Sequence, residues 1–292
     1  GVFGALHGAL IWSGDVLLMY ALCGALVYVC RAWRAPALCA AGVALYAASS
    51  AFSVIQGAAL IDVAPDRLAQ LRAQIWAPSA QTLAAEQAAF RGDLIAVTRA
   101  NLAAWLEFVR GGLPFAAPRA IALMMLGLGL FKLGFFEGRL RRSFYLACLA
   151  AGAVALVAIA LQARESAALG FPFLYMYAQG MGVNLFLAPL VSIAYAAIIV
   201  LFGAPRALAA VGRMALTNYI AQSLIMTTLF WGGRGFGLYG EIDRAGLMAI
   251  VPLVWAAQLI WSPLWLRRFQ YGPLEWAWRS LTYQRKLSLR RS

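Results

Sequence analysis

The sequence predicts an all-α protein, a polytopic bundle of about seven membrane-spanning helices, on three observations. Apolar residues make up 63% of the 292-residue chain, with a mean hydropathy of +0.77, against roughly 45–50% apolar in soluble domains. The charged residues, 12% of the total, fall between long uncharged stretches instead of alternating with apolar residues as on amphipathic surface helices. The arginines cluster at the ends of those stretches, where topogenic anchors sit. A net charge of +13 in a soluble protein would suggest nucleic acid. A continuous basic groove is missing, so no nucleic-acid partner is expected and the bilayer is the expected partner.

A helix needs about 20 apolar residues to cross the hydrocarbon core. Seven stretches qualify: Ala9 to Cys30, Pro36 to Ile61, Leu113 to Phe136, Phe144 to Ala163, Val183 to Phe202, Met214 to Trp231 and Gly246 to Leu266. Between the second and third lies the one long hydrophilic insertion, 62–112. In its second half Phe90, Leu94, Val97, Leu102, Trp105, Leu106 and Val109 recur at helical spacing, which predicts an amphipathic helix on the outer leaflet or over a site. Ser166 to Pro205 carries no charge and is long enough for two crossings. It is read as one, preceded by an apolar outer segment, Phe171 to Gly182, at the interface or re-entrant. A basic tail, 267–292, closes the chain. Without repeats or a linker, 1–292 reads as one membrane domain.

Alternate loops give the orientation. One side collects fourteen basic residues against Glu137 and Glu275; the other carries nine against eight acids. The positive-inside rule then puts Gly1 outside and Ser292 in the cytoplasm. A second crossing within Ser166 to Pro205 would carry Arg206, Arg213 and the tail outside. The chain begins at Gly1 without a charged segment ahead of an apolar one, so no signal peptide is read and the start is trimmed or missing. Cys23, Cys30, Cys39 and Cys148 lack CxxC spacing and read as packing residues; no metal site is expected.

Ionisable groups inside a bilayer cost on the order of 3 kcal/mol and ask for a reason. Asp15, in Ser13-Gly14-Asp15 of the first stretch, is either a buried acceptor tying helices together or a group that handles substrate or protons. His7, the only histidine, lies at the outer mouth of that stretch. It is either an inert interfacial side chain or a base for an extracytoplasmic acceptor. Eight residues separate the two, about 12 Å along one continuous helix, so a direct dyad is not expected on such a helix. Lys132 is expected to snorkel to the headgroups beside Glu137. Asn218 and Gln222, four apart, share a helix face and either bridge helices or line a polar path. The run Gly235 to Gly240 matches GxGxxG, but without a βαβ setting it reads as turn glycines. The pairs Gly4 and Gly8, and Gly134 and Gly138, permit close packing without fixing an oligomeric state.

Two stretches are distinctive: Gly212-Arg213-Met214-Ala215-Leu216-Thr217-Asn218-Tyr219-Ile220-Ala221-Gln222-Ser223, and Gly272-Pro273-Leu274-Glu275-Trp276-Ala277-Trp278-Arg279-Ser280-Leu281-Thr282-Tyr283. With His7, Gly14-Asp15-Val16-Leu17 and Tyr20 they resemble the YeiB-type family of bacterial multi-pass inner-membrane proteins. Family members usually begin with further helices carrying an LDxxRG-like segment, which this chain lacks. The resemblance implies an inner-membrane location and a distant kinship with membrane acyltransferases. Those enzymes take an acyl-CoA on one face, modify a glycan on the other, and depend on a membrane-embedded histidine.

The leading expectation is therefore acyltransferase-like: transfer from a cytoplasmic acyl-CoA to an extracytoplasmic or lipid-linked glycan, with His7 and Asp15 as catalytic candidates. Arg213 and Arg279 are candidates to clamp the donor phosphates, and Asn218, Tyr219 and Gln222 to bind substrate. The alternative is a transporter or exporter of a small or lipid-linked solute, with Asp15, Asn218 and Gln222 along the route. A non-catalytic assembly or envelope-stress role is the third reading. In the tail, Gly272-Pro273 is expected to start a short amphipathic helix with Trp276 and Trp278 at the interface and the arginines at anionic headgroups.

Overall fold

The computed structural model describes residues 1–290; Arg291, one of the tail arginines expected at the headgroups, and Ser292 lie outside the described residues. The described residues are helices and turns, with one isolated antiparallel bridge between Phe269 and Arg290. In order the helices are α1 (Val2–Leu10), α2 (Leu17–Val29), α3 (Ala35–Ala59), α4 (Pro65–Ile75), α5 (Ala80–Arg91), α6 (Leu94–Glu107) and α7 (Leu113–Lys132). There follow α8 (Arg142–Ala168), α9 (Phe173–Tyr175), α10 (Met181–Phe202), α11 (Arg206–Arg213), α12 (Ala215–Phe230), α13 (Arg244–Arg268) and α14 (Pro273–Thr282).

Five helical runs are long and apolar enough to cross a membrane: Ala35–Asp62, Leu94–Lys132, Arg142–Ala168, Phe173–Phe202 and Arg244–Arg268. The expected outer segment before Val183 is the first part of the fourth run, joined to α10 by a π turn at Met176–Gly180. The insertion carries a helix at the expected place, α6, with Val97 buried, but α6 runs on through a π turn at Phe108–Gly112 into α7 as part of the second long run and is not a separate surface helix. The sixth stretch forms α12, whose 16 residues span about 24 Å, short of the roughly 30 Å hydrocarbon thickness. The first stretch is not one helix: it breaks between Leu10 and Leu17.

The chain divides into two compact units. The first comprises Val16–Leu83 and Val109–Gly203. Small residues let its helices approach closely. A methyl at Gly42 of α3 would meet the Ala122 carbonyl oxygen of α7 at 2.7 Å, and one at Gly152 of α8 would meet Ala194 of α10 at 2.2 Å, which is the packing expected between helices in lipid. Pro189 interrupts α10 and cannot bond back to the carbonyl of Leu185; the Tyr46 hydroxyl donates to that carbonyl at 2.7 Å instead. Lys132 does not turn to Glu137. Its ammonium donates to the carbonyls of Arg31 and Trp33 at the end of α2, and Glu137 pairs with Arg139. Gly134 and Gly138 are turn residues at φ of 75° and 72° around Phe135–Glu137, not a helix-packing pair, because only glycine takes that conformation without strain.

The second unit comprises Val2–Asp15, Ala84–Phe108 and the chain from Ala204 on. Its apolar centre is Ala210, Met214 and Leu266 of α11 to α13. The two distinctive sequence stretches meet here. Glu275 at the start of α14 accepts from the backbone N–H of Thr217 at 2.9 Å and from its hydroxyl at 2.5 Å. A carboxylate thus sits on the open N–H groups of the first turn of α12, where the helix dipole favours negative charge.

Candidate functional site

The site grows from the end of α1. The last four carbonyls of a helix lack partners within it, and in α1 each finds one. The His7 carbonyl accepts from Ile11 and Trp12. Those of Gly8 and Ala9 accept from the Asn101 amide of α6, both at 3.0 Å. That of Leu10 accepts from the Arg234 guanidinium at 2.6 Å, which also reaches Ile11. A cation at this helix end is favoured by the dipole. Burial lowers the Arg234 pKa from the usual arginine range. Gly8 is required where it stands, since a methyl there would meet the Trp105 ring at 2.0 Å.

The chain then reverses through Ile11–Val16. A methyl at Gly14 would collide with the Trp12 ring at 2.6 Å, so glycine lets the turn close tightly. The reversal returns Asp15 to His7, and the expectation of two groups some 12 Å apart does not apply. The carboxylate Oδ1 of Asp15 accepts from Nδ1 of His7 at 2.8 Å, with both residues 1% exposed. The other ring nitrogen, Nε2, is buried without a hydrogen-bond partner. A buried polar atom left open is costly and rare. The His7 ring packs against that of Tyr219, 5.0 Å away between centroids, and that of Trp12 at 6.4 Å.

Trp12 and Tyr219 also line a cavity of about 670 Å³. It follows α12 past Gln222, Ser223 and Met226 to Phe230 and Trp231. At the far end Tyr239 donates to Glu86; burial first, then that carboxylate, raises the Tyr239 pKa. Arg91 pairs with Glu241 at 2.7 Å. The glycine run after Trp231 serves turns, with Gly237 and Gly240 at φ of 68° and 74°.

The remaining candidates separate. Asn218 is buried among its helix neighbours. Its amide donates to the Val211 carbonyl and the Ser262 hydroxyl, its Oδ1 accepts from the Trp261 indole at 2.8 Å, and its backbone carbonyl accepts from Gln258. Gln222 donates to Gln258 at 2.9 Å. The amides therefore bridge helices. Arg213 donates to the Gln270 carbonyl, and Arg279 lies over the Tyr271 ring at 4.9 Å; the two converge on one short segment of the tail. Beside them Arg267 and Arg268 line a second cavity of about 670 Å³ with Trp261 and Trp265. Trp276 turns its indole N–H to the Leu287 carbonyl, whereas Trp278 is exposed. Among the described residues no cluster of three or more His, Cys, Asp or Glu side chains could hold a metal ion.

Sequence reasoning missed Asn101, Arg234 and Trp12. Asn101 had a signal: it shares one face of α6 with Val97 and Trp105, and a lone amide on such a face needs a partner. Arg234 had none, being one loop cation among many.

The family model described as Protein of unknown function (DUF418) matches residues 130–285. The Escherichia coli (strain K12) protein described as Uncharacterized protein YeiB is 32% identical over 96% of this chain and 73% of its own length. The Bacillus subtilis (strain 168) protein described as Uncharacterized protein YxaH is 28% identical over 97% of this chain and 69% of its own. A shorter match, 40% identical over 27% of this chain and 22% of the relative, is to a Bacillus acidopullulyticus protein described as Uncharacterized 39.9 kDa protein in amylase 3'region. No solved structure matches the chain. The chain belongs to the YeiB-type, DUF418 family.

Proposed function

We propose that this chain is a membrane-embedded acyltransferase in which His7 is the general base. The observation that carries the reading is the state of its ring: Nδ1 is held by the Asp15 carboxylate at 2.8 Å while Nε2 is buried and unpartnered. A carboxylate on one nitrogen fixes the tautomer that leaves a lone pair on the other, the arrangement that general-base catalysis by histidine needs. Nε2 would take the proton of an acceptor hydroxyl as its oxygen bonds to the thioester carbon of an acyl-CoA. The C–S bond then breaks, and His7 returns the proton to the departing thiolate. Asp15 stabilises the imidazolium between the two transfers. The acceptor class is a glycan or lipid-linked sugar.

Arg213 and Arg279, converging on Gln270 and Tyr271, together with Arg267 and Arg268 at the second cavity, supply cations suited to the donor phosphates. The transport reading loses support from Asn218 and Gln222, whose amide donors are engaged by neighbouring helices.

The proposal carries a topology. The five long runs, with α2 and α12 as two crossings shorter than the hydrocarbon is thick, make seven crossings in the bacterial inner membrane, and the basic tail faces the cytoplasm. His7 packs against Tyr219 near the start of α12, whereas the Leu10 carbonyl accepts from Arg234, which also donates to Thr227 near the end of that helix. α1 therefore runs parallel to α12, which favours a start for α1 on the cytoplasmic side of His7, in place of the outside position that charge counting suggests for Gly1. Impermeant maleimide labelling of Val2→Cys and Ser288→Cys in a cysteine-free background, from either side of sealed vesicles, tests this. Labelling of either from outside sinks that side's assignment.

The activity is tested by transfer of radiolabel from acetyl-CoA and palmitoyl-CoA to lipid or added glycan, with the protein in nanodiscs beside His7→Ala. Transfer lost in the variant supports the proposal; folded protein that transfers to no acceptor overturns it.

A further inference from the structure

We infer that the cavity along α12 is the binding site for a single fatty-acyl chain, so that the donor is a long-chain acyl thioester. The inference rests on the acyl-transfer reading and names its substrate class. The cavity is lined by Trp12 and Tyr219, whose rings pack against His7, and runs along α12 from Tyr219 to Phe230 and Trp231. Eleven residues of α12 separate Tyr219 from Phe230, about 16 Å of helix, a length suited to an extended chain and excessive for an acetyl group. Its wall is mostly apolar, with Met226, Phe230 and Ile242 prominent.

Several polar side chains in that wall already donate elsewhere. Ser223 donates to the Tyr219 carbonyl, Thr227 to the Leu224 carbonyl and Gln222 to Gln258. A sugar placed here would exchange water for a wall with little to offer its hydroxyls, whereas an alkyl chain loses nothing by entering. His7 touches the Trp12 and Tyr219 rings without lining the cavity, so a thioester carbon at the Tyr219 end would reach Nε2 once Trp12, 42% exposed, turns aside. At the distant end the Trp231 ring carries the Arg234 guanidinium at 5.1 Å.

The experiment uses palmitoyl-CoA bearing a diazirine at the chain terminus, with the full chain in nanodiscs, and maps labelled residues by mass spectrometry. Saturable labelling is expected within Tyr219–Phe230, competed by palmitoyl-CoA at a concentration at least tenfold below that needed of acetyl-CoA. Met226→Trp and Ile242→Trp, two independent ways to fill the cavity, are each expected to lower labelling at least tenfold. His7→Asn is expected to leave it unchanged. Labelling no stronger than at the lipid-exposed Leu253 and Trp255 of α13, equal competition by acetyl-CoA, or indifference to both filling variants overturns the inference. Because His7→Asn separates binding from chemistry, a chain site without transfer refutes the catalytic reading alone. Acetyl transfer without a chain site refutes this one alone.

Discussion

Asn218 and Tyr219 are neighbours in sequence and about 100° apart around α12, and each belongs to a buried polar cluster of opposite character. On the Asn218 side the side-chain amide meets Val211, Ser262 and Trp261, and Gln258 takes the backbone carbonyl. On the Tyr219 side His7 and Asp15 are as deeply buried, yet the imidazole keeps one nitrogen open. A closed cluster serves the fold, because removing any member strands the others. An open one leaves the fold little to lose and chemistry something to use. Neither burial nor residue type separates the two clusters; the unfilled valence does.

The largest expected effect falls on the open cluster. His7→Gln should lower acyl transfer by about 10²–10⁴-fold, the range for loss of a general base, while the thermal midpoint in nanodiscs shifts less than in any Asn218 variant. A midpoint loss matching Asn218→Ala, with transfer per folded molecule intact, would make His7 a packing residue and erase the contrast.

Asp15→Asn probes the same cluster through its orienting group. The amide fits the same space but no longer favours the tautomer with a free Nε2 lone pair, so transfer should fall by about 10²-fold or more without loss of bound acyl-CoA. The readout specific to orientation is the split between kcat and KM: kcat should fall while the KM for acyl-CoA holds. An unchanged kcat per folded molecule with a lower midpoint would mean that the carboxylate only holds the Ile11–Val16 turn.

Asn218→Ala should do the reverse. It strands the Trp261 N–H and the Val211 carbonyl, so unfolding free energy should drop by about 1–3 kcal/mol. Transfer per folded protein should hold. Lost activity in protein of unchanged midpoint would move Asn218 into the site and revive the polar-path reading.

The long runs were legible because apolar length alone decides whether a helix can cross lipid. The helix in the insertion was legible from Val97 and its apolar neighbours. Illegible was the break after Leu10. Its residues Ile11 and Trp12 are as apolar as a crossing, and hydropathy carries no record of the partners, Asn101 and Arg234, that let α1 end there. The dyad followed from that break, so His7 and Asp15 were each singled out while their contact was not. The role of Asn218 stayed open for a related reason: an amide in a crossing is equally suited to a bridge or a path until Ser262 and Trp261 are seen beside it.

The smallest effect concerns how the closed side is anchored. Glu275 reaches the first turn of α12 from the tail helix, and Gly272 fits beneath it, since a methyl there would meet the carboxylate at 2.1 Å. Glu275→Gln keeps one acceptor for the Thr217 N–H but removes the charge from the helix N-terminus, worth about 1 kcal/mol. A small fall in midpoint is expected, with transfer and chain labelling unchanged. Gly272→Ala should disturb the same contact by displacing the carboxylate, and the two changes should be non-additive because they act on one interaction. If instead Glu275→Gln reduces transfer without moving the midpoint, the tail takes part in catalysis, and the division between an open and a closed side of α12 has to be redrawn to include it.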